Sequence, residues 1–383
     1  MSKRNEIQEE ALNTALRFAR AGLGVSMGVG KTLIGLHYLE NFWKNGTMKR
    51  ALVVAPKLSI FQSWKDDAIK FDIDKDMMEK LVFTTYLSLS KQHPDDYDIV
   101  VLDECHSLLP THKGFLEPFK GRILGLTGTP PRYANSQKGE LVKRYCPMAF
   151  MYITDDAVDD GILNDYRIIV HKMGLSKENN FRVQLRKGGE FYTSEQKNYD
   201  YWSERLMFAN SKKEEQIASV MRMRAMMSFK SKEVYTRLLL GEIKDKCIVF
   251  CNTQDQADSL CRYSYHSGNP KSEENLDAFK HNRINQLSCV LQLNEGVNIP
   301  NLRAGIIMHA YGNERKSSQR IGRLLRLNPD DTAIVHILCY KSTIDQKWVH
   351  EALKDLDPSK INHVNVEDVM NMNIDEQAFV FLR

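Results

Sequence analysis

Residues 23–36 read LGVSMGVGKTLIGL, and this stretch decides the fold. A short apolar run, Leu23–Ser26, leads into Met27-Gly28-Val29-Gly30-Lys31-Thr32, and a helical pattern over Leu33–Phe42 follows. A strand, a glycine-containing loop and a helix in that order make a phosphate cradle. Gly28 and Gly30 let backbone N–H groups converge on an anion, and Val29 lies between them. Lys31 brings a charge able to reach β- and γ-phosphates, and Thr32 brings a hydroxyl suited to a magnesium ion. The loop is a variant, because the full pattern places a glycine further upstream than Met27 and Ser26 allow. A glycine-containing helix start that binds nothing is the competing reading of the loop taken alone.

Outward from this loop, apolar runs recur at Ala51–Val54, Leu81–Thr84, Ile99–Leu102 and Ile123–Leu126. Each is short, rich in β-branched residues and continuously apolar, as suits a parallel sheet covered on both faces. The pattern returns at Cys247–Cys251, Cys289–Leu293, Ala304–Met308 and Ala333–Leu338. The expected fold class is therefore α/β, with two parallel-sheet domains in tandem. The boundary is placed near the acidic stretch Asp155–Asp160, giving domains over 1–160 and 161–345 and a helical extension over 346–383. The second domain is expected to begin with a strand over Arg167–Met173. A basic insertion over about 176–240 follows, in which Phe181–Thr193 reads as a hairpin turning at Gly188-Gly189 and Ser194–Leu240 as helix.

The chain has 383 residues, 42% of them hydrophobic and 27% charged, a globular composition. No apolar stretch approaches the ~20 residues that span a bilayer, and no secretory leader is visible, so neither a membrane nor an export role is expected. Seven scattered cysteines suggest neither a disulfide framework nor a zinc site, and a cytoplasmic protein is the default expectation. The net charge of +4 is uneven. Residues 1–165 hold 21 basic and 22 acidic side chains, and the remainder holds 32 and 27. Within the latter, residues 171–232 carry 13 basic and 7 acidic groups.

Two further constellations carry chemistry. Ile99–Leu102 ends in Asp103-Glu104, and carboxylates at a buried strand end are costly unless they meet a cation or a partner. Asp103 can hold Mg²⁺ and Glu104 can polarise an attacking water. Far along the chain, Gln319, Arg323 and Arg326 recur at helical spacing, so one helix face would present two guanidinium groups able to stabilise charge developing on a γ-phosphoryl group. A solvated basic helix face is the bland alternative.

Together these motifs resemble those of superfamily 2 helicases, and the match covers nearly the whole chain. Gly28–Thr32 resembles motif I, and Leu52–Trp64, with Pro56, Lys57 and the Gln62-Ser63-Trp64 ending, resembles motif Ia. Asp103-Glu104-Cys105-His106 is similar to a DExH box, and Thr127-Gly128-Thr129-Pro130 to motif III. Ile248–Asn252, Asn294–Pro300 and Gln319–Arg326 resemble motifs IV, V and VI. The resemblance implies two RecA-like domains that bind and hydrolyse ATP with Mg²⁺ and move on nucleic acid. It implies catalytic roles for Lys31, Asp103, Glu104, Gln319, Arg323 and Arg326. Nucleotide contacts fall to Gly28, Val29, Gly30, Lys31, Thr32, Gly296 and Asn298, the last standing where relatives commonly have Asp. Thr32 and Asp103 would hold the metal, and His106, Thr127 and Thr129 would couple nucleotide state to motion. Gln8 stands where relatives carry an adenine-reading Gln, though without its usual sequence context; a solvated helix residue fits equally well.

Nucleic-acid contacts are implied for Pro56, Lys57, Gln62, Thr85 and Asn252, and, at the hairpin tip, a wedge is suggested at Arg186 and Lys187. Phe181, Phe191, Tyr192, Tyr199, Tyr201, Trp202 and Phe208 either pack in the insertion or stack on bases. The motif forms resemble the small phage-encoded repair and recombination helicases of the UvsW type. The leading expectation is thus a monomeric DNA helicase or translocase acting on single-stranded or branched DNA, with other replication and recombination proteins as further partners, in the host cytoplasm if phage-encoded. A nucleic-acid-stimulated ATPase or duplex translocase that separates no strands, and an RNA helicase, are the alternatives.

Overall fold

The apolar runs become strands because they can be covered on both sides. Ala51–Ala55 and Ile99–Asp103 are buried along their whole length, and branched side chains fill such a two-faced site well. The computed structural model describes residues 2–26, 28–131, 136–184, 188–290, 299–310, 331–354 and 356–367. The chain divides into two units that change over at Asp165/Tyr166.

In the first unit the elements run α1 (Lys3–Leu16), β1 (Arg20–Val25), α2 (Lys31–Lys44), β2 (Ala51–Ala55), α3 (Ser59–Lys70), α4 (Lys75–Glu79), β3 (Leu81–Thr85), β4 (Ile99–Asp103), α5 (Lys113–Leu116), β5 (Arg122–Thr127), α6 (Gln137–Tyr145), β6 (Met148–Tyr152) and α7 (Thr154–Asp159). The strands form one sheet in the order β3-β2-β4-β5-β1-β6, and every neighbouring pair is parallel. The sequence reading lacked β6, whose Met148, Ala149 and Phe150 are only half-buried and whose Met151 is exposed. An edge strand does not need the continuous apolar run of a central one. The register sets the site: Gly24 pairs with Thr127 across β1/β5, and Asp103 with Leu126 across β4/β5. The carboxyl ends of β1, β5 and β4 therefore lie side by side at one end of the sheet, where ligands of open α/β sheets bind.

The second unit opens with β7 (Asp165–Met173), then the antiparallel hairpin β8 (Phe181–Gln184) and β9 (Glu190–Thr193). Helices α8 (Glu195–Met207), α9 (Lys212–Ser228) and α10 (Lys230–Glu242) follow, then β10 (Cys247–Cys251), α11 (Gln254–Leu260), β11 (Ser264–Tyr265), α12 (Ser272–Lys280), β12 (Gln286–Val290), β13 (Ala304–Ile307), β14 (Thr332–Tyr340), α13 (Ile344–Leu353) and β15 (Ile361–Val366). The sheet order is β11-β12-β10-β13-β14-β7-β15. The expected tandem of parallel-sheet α/β domains is thus present.

Two details differ from the sequence reading. The region after 346 is not a purely helical extension: α13 is followed by β15, which adds to the sheet in parallel with β7. Only Ile361, Val364 and Val366 of that edge strand are apolar, with exposed Asn362, His363 and Asn365 between them, too little apolar character to stand out. The basic insertion is also less open than its composition suggests. Lys232 is fully buried, with its ammonium 2.6 Å from Asp345 and donating to the carbonyls of Met308 (2.7 Å) and Leu338 (2.9 Å). Glu195, also fully buried, accepts from the backbone and hydroxyl of Ser231 and from the Ser176 amide. The Ser231 hydroxyl lies 2.8 Å from that of Tyr340 on β14. This polar network fixes the inserted helices to the sheet. Tyr199 is buried in the same core, while Phe191, Tyr192, Tyr201 and Phe208 are exposed.

Candidate active site

Two glycines shape the loop before α2. Gly28 and Gly30 have φ of 91° and 107°, the left-handed region that side chains avoid. A Cβ on Gly30 would sit 2.4 Å from the Gln8 amide nitrogen, and one on Gly28 would sit 2.9 Å from Leu163. Gln8 donates to the Val29 carbonyl at 2.6 Å, so α1 braces the loop from one side. The Ser26 hydroxyl lies 3.0 Å from that of Thr154, which ties the end of β1 to the start of α7. Gly30 caps α2, and Lys31 and Thr32 occupy its first turn, where free backbone N–H groups favour an anion.

The acidic strand end faces this loop. Glu104 has φ of 50°, a strained position for a side chain, at the turn where β4 stops. Its carboxylate meets Lys31 Nζ at 3.8 Å through one oxygen and His106 Nδ1 at 3.3 Å through the other. The Thr127 hydroxyl lies 2.8 Å from His106 Nδ1 and 3.5 Å from Glu104. Thr129 donates its backbone N–H to the Thr127 hydroxyl at 3.0 Å, and its own hydroxyl is 3.4 Å from His106. Residues expected from three separate motifs thus form one cluster of ion pairs and hydrogen bonds.

Asp103 is buried. Burial pushes its carboxyl up to about 6; Glu104 adds to the rise, and the Trp64 indole and Lys31 oppose it. Trp64 donates to Asp103 Oδ2 at 2.9 Å, the Glu104 amide donates to Oδ1 at 3.0 Å, and the Tyr86 hydroxyl donates to the Asp103 carbonyl at 3.0 Å. Neither Trp64 nor Tyr86 was singled out from sequence as a support for Asp103. The only sequence signals were Trp64's place in the Gln62-Ser63-Trp64 ending and Tyr86's position directly after Thr85. A buried carboxylate of raised pKa, with oxygen donors only, fits a hard cation. Among the described residues no three His, Cys, Asp or Glu side chains gather as a metal cage. A magnesium ion here would therefore draw on phosphate and water as well.

The expected nucleic-acid residues occupy strand ends. Pro56 follows β2 and Lys57 is exposed; Gln62 is exposed on α3 and bonds Asp66 at 2.8 Å. Thr85 ends β3, half-buried. Asn252 follows β10, but both polar atoms of its side chain are buried without a hydrogen-bond partner among the described residues. Arg186, Lys187, Gly296, Asn298, Gln319, Arg323 and Arg326 lie outside the described residues.

Comparison with known proteins agrees with this geometry. Residues 2–132 match the family model of the type III restriction enzyme res subunit, and residues 229–328 that of the helicase conserved C-terminal domain. The DNA 3'-5' translocase XPB2 of Sulfurisphaera tokodaii is 25% identical over 376 residues, covering 89% of this chain and 82% of its own. Among solved structures, an HsdR-subunit fragment of a type I restriction enzyme from Vibrio vulnificus YJ016 superposes with a TM-score of 0.61 at 19% identity, over 94% of this chain and 68% of its own. LlaBIII, an ATP-dependent type ISP restriction-modification enzyme bound to DNA, gives 0.60 at 14% identity, over 97% of this chain but only 32% of its own length. These likenesses support the RecA-like form of both sheets. With the glycine loop and the acidic strand end assembled at the carboxyl end of one sheet, the two family matches support an ATP-hydrolysing enzyme with domains of the superfamily 2 helicase type.

Proposed function

We propose that the protein is an ATP-dependent DNA translocase or helicase. The observation that carries this reading is the cluster joining Lys31, Glu104, His106 and Thr127. In it, the carboxylate that would activate water is held by the lysine that would grip phosphate and by the histidine that would report nucleotide state. When ATP enters, Lys31 exchanges Glu104 for phosphate oxygens. Glu104 is then released to orient the attacking water, and the change reaches Thr127 and Thr129 through His106. Asp103 and Thr32 would hold Mg²⁺, which would neutralise charge on the β- and γ-phosphates. From the motif resemblance we assign Gly296 and Asn298 to nucleotide contact, and Gln319, Arg323 and Arg326 to stabilising the γ-phosphoryl charge.

DNA as the track is supported by the likeness to a protein named a DNA translocase. Pro56, Lys57, Gln62, Thr85 and Asn252 would touch the backbone of a strand, and Arg186 and Lys187 would meet a duplex at the hairpin tip. Backbone contacts of this kind give affinity without sequence readout. Remodelling of branched DNA, as in UvsW-type enzymes, is our preferred role. Duplex translocation without strand separation is the second reading, favoured by the relative's name.

The test is steady-state ATPase activity with no nucleic acid, single-stranded DNA, duplex, a four-way junction and single-stranded RNA. Stimulation by DNA that Lys31→Ala abolishes is the expected result. Stimulation by RNA alone, or by nothing, would overturn the reading.

A further inference from the structure

Trp64 is fully buried and makes two contacts that its helix partners do not. Its indole N–H donates to Asp103 Oδ2 at 2.9 Å. Its six-membered ring lies over Gly35 of α2, where an added Cβ would come within 2.6 Å of the ring edge. Only glycine at 35 lets α3 approach α2 this closely. One side chain therefore touches the helix that begins with Lys31 and Thr32, and the carboxylate at the end of β4. Gln62, two residues earlier on α3, is exposed, as a 200° turn of the helix requires. The same helix thus presents one face outward beside Lys57 and the opposite face to Asp103. A tryptophan donates one hydrogen bond and has a rigid body, so it transmits a shift of its helix to the group it holds.

We propose that Trp64 is a positioning residue that fixes the Asp103 carboxylate for its metal and links that carboxylate to the nucleic-acid-facing segment Pro56–Gln62; this rests on the DNA-translocase reading above. Trp64 touches no substrate. It acts by holding one oxygen of Asp103 and leaving the carboxylate's remaining lone pairs aimed where the metal must sit. Removing a side chain that holds a metal-binding carboxylate in place typically changes metal affinity by about 10–100-fold.

The experiment compares wild type with Trp64→Phe, which keeps a buried ring and loses the N–H. Two readouts are taken. The first is the rise in melting temperature that ADP gives with Mg²⁺ over ADP with EDTA. The second is the Mg²⁺ concentration for half-maximal ATPase, with and without single-stranded DNA. We expect Trp64→Phe to lose most of the Mg²⁺-specific rise, to need about 10-fold more Mg²⁺, and to keep its KM for ATP within about 3-fold while kcat and DNA stimulation fall. An unchanged Mg²⁺ requirement and an unchanged Mg²⁺-specific rise would overturn the proposal.

Should Trp64→Phe fail to fold, the chain's other three tryptophans are replaced instead (Trp43→Phe, Trp202→Phe, Trp348→Phe), which leaves Trp64 as the only indole emitter. Its emission must then shift with Mg²⁺ and ADP but not with ADP and EDTA; the same spectrum in both would count against the proposal. Failure of the parent reading is seen separately, as absence of DNA stimulation in wild type with the Mg²⁺-specific signals intact.

Discussion

At the residue scale, the proposed ATP site is a set of charges that hold one another. Glu104 is the pivot, because its two oxygens face a lysine and a histidine from different motifs. Its backbone strain at φ 50° persists only because β4, the turn after it and the Lys31 contact determine it together. Glu104→Gln keeps size and most hydrogen bonds but removes the proposed base. We expect ATP hydrolysis to fall by about 10²–10⁴-fold, with nucleotide binding, measured by equilibrium titration, changed by no more than a few-fold. Equal losses of binding and hydrolysis would show that Glu104 serves mainly to hold the loop. Gly28 and Gly30 illustrate why this constellation was readable in advance. Their left-handed backbone and the close approach of Gln8 and Leu163 leave no room for a side chain, so the motif carries its own geometric reason. The support of Asp103 by Trp64 was not readable, because the two residues are 39 positions apart and meet only once α3 has packed on α2.

At the element scale, the inserted helices of the second unit are locked by buried polar groups. Lys232 and Asp345 form an ion pair with no solvent exposure, and one Asp345 oxygen has no partner among the described residues. Breaking such a pair on one side strands a buried charge. Lys232→Met should cost about 3–5 kcal/mol in denaturant unfolding, and adding Asp345→Leu should recover most of that loss. No recovery in the double variant would mean that Lys232 stabilises through its carbonyl contacts instead. Nearby, His171 on β7 and His336 on β14 lie 3.0 Å apart, and the Tyr235 hydroxyl is 2.9 Å from His171. Burial pushes His171 down to about 3 and His336 to about 4, and for His171 the neighbouring ring adds to the effect. Both are therefore neutral when folded. A depressed histidine stabilises the fold above its unfolded value of about 6.5 and loses that contribution as pH falls toward the folded value. The melting temperature should decline between pH 6.5 and 4, and His336→Phe should flatten the decline.

At the scale of the whole molecule, charge and sheet order carry the function. The net charge of +4 is modest, and its excess lies after residue 165. Affinity for DNA, if set by phosphate contacts, falls with salt at a log–log slope of about −0.7 per phosphate on a single strand and about −0.9 on duplex. Lys57→Ala should weaken binding on all sequences alike and reduce that slope by about 1. A loss confined to particular sequences would point instead to base contact.

The sequence by itself determined the two α/β sheets, the phosphate loop and the acidic strand end, because branched apolar runs and glycine-bearing turns act locally. It also placed the insertion's hairpin and helices. Tertiary structure decided what composition could not. It buried Lys232 against Asp345 and so withdrew one cation from the apparently basic insertion. It turned Ile361–Val366 into a sheet edge where a helix was expected, since pairing with β7 outweighs weak local propensity. It also brought Trp64 to Asp103 by packing α3 on α2, and through parallel register set Thr127 at the end of β5 between the ends of β1 and β4. Local patterns record which face of an element is apolar; they do not record which distant side chain that face will meet.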